Sequence, residues 1–90
     1  MDALARDDAN LRALGAYIRE QRNRLNLTQS QLAERLGWSQ ERISVLESGK
    51  YGTPSLPALV QLAEALEVPV LPLVEVLGYP MTGGVLGSAP

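Results

Sequence analysis

Apolar residues recur at helical spacing along most of this chain. Leu11, Leu14, Ile18 and Leu25 fall on one side of a helical projection, with Arg12, Arg19, Glu20 and Arg24 on the others. The pattern predicts a first helix from about Leu11 to near Asn26, where asparagine tolerates the left-handed conformation that ends a helix. Leu32, Ala33 and Leu36 mark a second short helix, and Ile43 and Leu46 a third. Thr28 with Gln31 forms a capping-box pattern ahead of the second, and Leu27 with Leu32 a hydrophobic staple. Ser39 caps the third, Trp38 and Ile43 can staple it, and Gly49 stops it. Gly37 stands at the reversal between them, where a left-handed residue is needed and only glycine adopts that conformation without cost.

Beyond Gly49, Gly52 and Pro54 mark a loop, and Ser55 caps a fourth helix with Leu56, Leu59, Val60, Leu62, Ala63 and Leu66 as a broad apolar face. The run from Val68 to Leu77 is ambiguous, because its β-branched residues suit a strand while Pro69 and Pro72 oppose one. Residues 1–10 and 79–90 are expected to be flexible extensions of a domain at 11–78, the first polar and acidic, the second rich in small residues.

The stretch QLAERLGWSQERISVLESGK resembles the helix-turn-helix of the lambda Cro and lambdoid phage repressor family, also called the xenobiotic response element family. The resemblance rests on Gln29, Leu32, Ala33, Gly37, Ile43, Leu46, Glu47, Gly49 and Lys50, and extends to IREQR before and TPSLPALVQLAEALEV after. It implies an all-α, five-helix, lambda-repressor-like DNA-binding domain, with a short helix in the ambiguous run. It also implies that Arg22, a charge on the buried side of the first helix, pairs with Glu47 as a structural salt bridge. The typical family residues at the positions of Leu71 and Pro72 are acidic, so the apolar run here is a departure. A helix with Val70, Leu71, Leu73, Val74 and Leu77 around one acid is expected to need covering, and a homodimer through the segment 70–81 is the expectation, with the C-terminal tail folding back over it as the alternative.

In such a motif the second of the two helices enters the major groove and the first crosses the phosphate backbone. The face left outward by Ile43 and Leu46 carries Gln40, Glu41, Ser44 and Val45, with Arg42 on its flank. Gln40 suits adenine, Glu41 the cytosine amino group, Val45 a thymine methyl, and Arg42 a guanine or phosphate. By the resemblance, Gln29 anchors the crossing helix to the backbone and Lys50 lies near a phosphate. A polar helix face is also what plain solvation produces, and Glu41 near phosphates is repulsive unless it meets a cytosine or pairs with Arg42.

Ninety residues permit one domain with little room for an enzyme cleft. With neither cysteine nor histidine the usual zinc ligands are missing, and no metal, cofactor or enzymatic activity is expected. No apolar run has the length of a membrane span and the N-terminus is too acidic for a signal peptide, so a cytoplasmic protein is expected. The net charge of −2 speaks against bulk electrostatic binding of nucleic acid. Its distribution softens this: residues 17–50 hold six basic and four acidic side chains, the rest two basic and six acidic. Weak non-specific DNA binding with strong salt sensitivity is the expectation. The leading function is a small dimeric repressor on a pseudo-palindromic double-stranded operator with half-sites about 34 Å apart. The alternatives are an antitoxin or other interaction module whose apolar segment 70–81 holds a toxin or another protein, and a helix-turn-helix that no longer binds DNA.

Overall fold

The computed structural model describes residues 2–50 and 52–77. Among these the chain forms five helices and no strand: α1 (Asp2–Arg24), α2 (Gln29–Leu36), α3 (Gln40–Ser48), α4 (Leu56–Leu66) and α5 (Leu71–Val76). The ambiguous apolar run is thus a helix, with Pro72 in its first turn where a missing amide costs nothing. None of these helices is long and apolar enough to cross a membrane.

The ends of the helices follow local chemistry. Gln31 N–H donates to Thr28 Oγ1 at 3.0 Å and Thr28 N–H to Gln31 Oε1 at 2.8 Å, closing the capping box of α2. Ser39 and Ser55 cap α3 and α4 in the same way, accepting from the amides of Arg42 and Ala58. Four helices share one kind of stop, a left-handed residue at Asn26, Gly37, Gly49 or Glu67. In each, the following amide donates back five residues: Leu27 to Arg22, Trp38 to Ala33, Lys50 to Val45 and Val68 to Ala63, at 2.9 to 3.3 Å.

The first helix begins at Asp2, nine residues before the start expected near Leu11. Apolar periodicity marks only the turns that pack, whereas propensity carries the helix further: residues 2–14 contain neither glycine nor proline and are rich in alanine, leucine and arginine. Asn10 Nδ2 donates to Leu77 O at 3.1 Å, fastening α1 to the end of α5.

One core runs through all five helices. Leu14 and Ile18 of α1 meet Leu32 and Ala33 of α2, Ile43 and Leu46 of α3, Leu59, Leu62 and Leu66 of α4, and Leu73 and Leu77 at α5. Helices α1 and α2 both pack on α3, α4 packs on α2, and α5 closes against α1 and α4. The expected dimerisation residues divide accordingly between the core and the surface. Leu73 is fully buried and Leu77 is 9% exposed, so the protomer's own core takes both, while Val70 and Val74 pack half-buried against it and Leu71 stays 45% exposed. A helix of six residues docked across two others has one inward stripe, and Leu73 and Leu77, four apart, occupy it. Residues 78–81 of the expected interface lie outside the described residues.

Candidate nucleic-acid interface

With Ile43 and Leu46 turned into the core, α3 presents its other sides outward. Gln40 and Glu41 are exposed at its N-terminus, Ser44 and Val45 are half-buried further along, and Lys50 is exposed just past Gly49. The capped start of α3 follows α2 after only three residues, so the pair is held as a rigid corner.

Behind this surface lies a buried ion pair. The structure brings Arg22 and Glu47 together in a fork: Arg22 Nε donates to Glu47 Oε2 at 2.6 Å and Nη2 to Oε1 at 3.0 Å. The Glu47 side chain is wholly inaccessible and that of Arg22 is 12% exposed. Arg22 Nη1 also donates to Leu27 O at 2.7 Å, tying the pair to the turn before α2. Arg19 Nε approaches Glu47 Oε1 at 3.5 Å. Burial pushes the Glu47 carboxyl up, but hydrogen bonds from Arg22, Gln29 and Arg19 and the Arg22 charge outweigh it and hold the group below its ordinary pKa. The bond to Glu47 raises the Arg22 pKa in turn.

The ion pair reaches the surface through two glutamines. Gln29 Nε2 donates to Glu47 Oε1 at 3.0 Å, and Gln29 Oε1 accepts from Gln40 Nε2 at 2.6 Å. The chain Arg22, Glu47, Gln29, Gln40 therefore orients the first side chain of α3 from inside the domain. It borders an open polar hollow lined also by Asn23, Thr28 and Ser30.

Most arginines near this surface are committed to the protein. Arg24 Nη2 donates to Leu66 O at 3.3 Å, and Arg35 Nη1 donates to Ala65 O at 2.9 Å and lies 3.3 Å from Glu67 Oε2. Both satisfy carbonyls at the C-terminus of α4, where the helix dipole favours cations. The Arg42 guanidinium lies 3.6 Å above the centre of the Trp38 ring. The local surplus of positive charge counted in the sequence therefore overstates what faces solvent, and Lys50 and the 57% exposed Arg19 side chain carry much of it.

Three features are not evident in the residue pattern. Gln29 and Gln40, expected to act separately, are bonded to each other. Trp38 and Arg42 are four residues apart, a helical-neighbour spacing that could have suggested their stack. Gly15, in the middle of α1, allows that helix to press on α3: a Cβ there would stand 2.5 Å from Glu47 O and 2.6 Å from Leu46 O. Its signal was a lone glycine among good helix formers.

The helix-turn-helix domain family matches residues 13–77. An uncharacterized HTH-type transcriptional regulator of Methanothermobacter thermautotrophicus is 49% identical over 49 residues, which cover 54% of this chain and 70% of that protein. The HTH-type transcriptional repressor RghR of Bacillus subtilis is 38% identical over 69 residues, 77% of this chain and 51% of RghR, so this chain matches about half the length of that relative. Among solved structures, the restriction-modification controller protein C.AhdI from Aeromonas hydrophila superposes with a TM-score of 0.68 at 30% identity, covering 73% of this chain and 94% of that one. The clp gene regulator ClgR from C. glutamicum gives a TM-score of 0.66 at 27% identity, covering 90% of this chain and 94% of that one.

Proposed function

Because the chain belongs to the helix-turn-helix domain family, of the Cro and lambdoid repressor type, we propose that it regulates transcription by laying α3 in the major groove of a pseudo-palindromic operator as a homodimer. The family and the regulators among its relatives establish DNA-binding transcriptional regulation, without enzymatic chemistry. The observation that supports this placement of α3 is the orientation of Gln40, whose carboxamide is bonded to Gln29, itself bonded to a buried carboxylate. A side chain fixed from behind approaches a base edge without losing rotamer entropy on binding, which is how preorganisation favours affinity.

In this arrangement Gln40 reads adenine, Ser44 and Val45 meet bases further along the groove, and Val45 suits a thymine methyl. Gln29, at the start of α2, and Lys50, beyond α3, position the protein on phosphates, as does Arg42 at the flank. An operator occupied in this way is closed to other proteins, which suits repression; the relative RghR is named a transcriptional repressor. The second copy would meet Leu71, with Val70 and Val74 beside it. The same exposure, together with Leu56 at 61% and Val60 at 39%, favours as a second reading a surface that holds a different protein, such as a toxin.

Selection of the purified protein on a random duplex DNA pool at about 50 mM salt, followed by sequencing, tests the reading. An inverted repeat with half-sites one helical turn apart is the expected product; no enrichment refutes base reading by α3. Sedimentation showing a monomer at tens of micromolar, with single half-sites selected, would refute the homodimer.

A further inference from the structure

We propose that Glu41 imposes a cytosine in each half-site and excludes guanine and thymine there, an inference that rests on α3 being the base-contacting helix. The first turn of α3 carries three polar side chains, and two of them have partners within the protein: Gln40 on Gln29, and Arg42 on the Trp38 ring. Glu41 is exposed and makes no hydrogen bond or ion pair among the described residues. No cation stands at helical spacing from it either, since the residues three and four away are Gly37, Trp38, Ser44 and Val45. Arg42 is adjacent in sequence, points to another side of the helix, and is drawn over Trp38. Among the described residues none pairs with this carboxylate, so it faces outward with its acceptor oxygens unused.

An ionised carboxylate accepts hydrogen bonds and donates none. In the major groove cytosine offers its N4 amino group, whereas guanine presents N7 and O6 and thymine presents O4, all acceptors. At either of those bases Glu41 meets like partial charge with no bond to offset it, in a site already crowded by phosphates. Adenine offers an N6 amino group, but its N7 acceptor lies beside it and faces the second carboxylate oxygen, so cytosine is the base with a donor and no opposing acceptor of its own. The discrimination comes chiefly from what the site rejects. An acid in the first turn also suits the helix dipole, a purely structural role that would leave base preference untouched.

The test selects the full-length protein and its Glu41→Gln and Glu41→Ala variants on the same random duplex pool, after a thermal melt has shown that each folds. The wild type should favour cytosine over guanine and thymine by roughly 5- to 100-fold at one position per half-site, neighbouring the base read by Gln40. Glu41→Gln should move that position towards adenine, Glu41→Ala should flatten it, and the rest of the site should persist. If the wild type enriches an operator that is the same for all three proteins, or one without cytosine there, Glu41 is not a reader and the proposal falls alone. If the wild type enriches nothing, the reading of α3 and this proposal fall together.

Discussion

Replacing Arg22 by methionine isolates what the buried ion pair does. The substitution keeps a long apolar stem but strips Glu47 of both its Arg22 bonds, including the shortest at 2.6 Å, leaving Gln29 at 3.0 Å and Arg19 at 3.5 Å to stabilise a carboxylate with no solvent access. Breaking a buried pair from one side costs about 3–5 kcal/mol, because the survivor remains desolvated and under-paired. The carboxyl has one escape, which is to take up a proton. From an ordinary value of 4.5, protonation at pH 7 costs about 3.4 kcal/mol at 1.36 kcal/mol per unit, so the electrostatic part of the penalty is limited to roughly that amount. At pH 5 the limit falls to about 0.7 kcal/mol. The pH slopes of the two proteins should therefore oppose each other. In the wild type the folded pKa of Glu47 is depressed, so its contribution is fully present above the ordinary value and is lost as pH falls through the folded one. In Arg22→Met the folded pKa is raised, so the variant should gain stability between pH 7 and pH 5 while the wild type hardly changes. Urea denaturation followed by circular dichroism at both pH values measures this. A domain of this size has about 4–11 kcal/mol to lose, so a penalty of 3 kcal/mol is readily resolved. Pairing Arg22→Met with Glu47→Leu should recover part of the loss. A single variant that loses less than about 1 kcal/mol at pH 7, or equally at both pH values, would refute the reasoning.

Gly15→Ala should destabilise the fold by about 2 kcal/mol despite alanine's better propensity, since its Cβ would press on α3 carbonyls at 2.5 and 2.6 Å; an unchanged urea midpoint would contradict that contact. Glu67→Gly should stabilise it by about 0.5 kcal/mol, the relief of a left-handed residue at φ 59° exceeding the loss of an exposed pair with Arg35; a lower midpoint would mean the pair matters more than the backbone. Operator affinity should fall with salt at a slope of about −3 to −5 for a dimer, measured by fluorescence anisotropy. A slope of −8 or steeper would require the arginines now bonded to Glu47 and to the end of α4 to leave them for phosphates.

What the sequence discloses and what it hides divide by distance along the chain. Thr28, Ser39, Ser55, Gly37 and Gly49 are readable because caps and stops are decided within four or five residues by groups on the same short segment. The partner of Arg22 is 25 residues away, and periodicity shows only that a charge faces inward; family resemblance supplied Glu47. Leu73 and Leu77 could not be told from Leu71 by pattern, because a short helix apolar on most sides turns inward whichever stripe its neighbours leave room for. Gly15 is invisible for the same reason, its meaning residing in the carbonyls of another helix.

The arginines make the same point about function. In the sequence they form a basic surplus around the motif, which favours electrostatic attraction to DNA. In the fold Arg22, Arg24 and Arg35 satisfy a carboxylate and helix-end carbonyls, and Arg42 covers a ring, so four of the six basic residues in that stretch hold the domain together. A chain of net charge −2 with so little free cation has small non-specific affinity to draw on. On the proposed reading, recognition comes from base edges, through Gln40 held in place by Gln29 and through Glu41 beside it. A single half-site of such contacts is weak, which is why a second copy is part of the proposed function: once one copy is bound, its partner engages the other half-site at a high effective concentration.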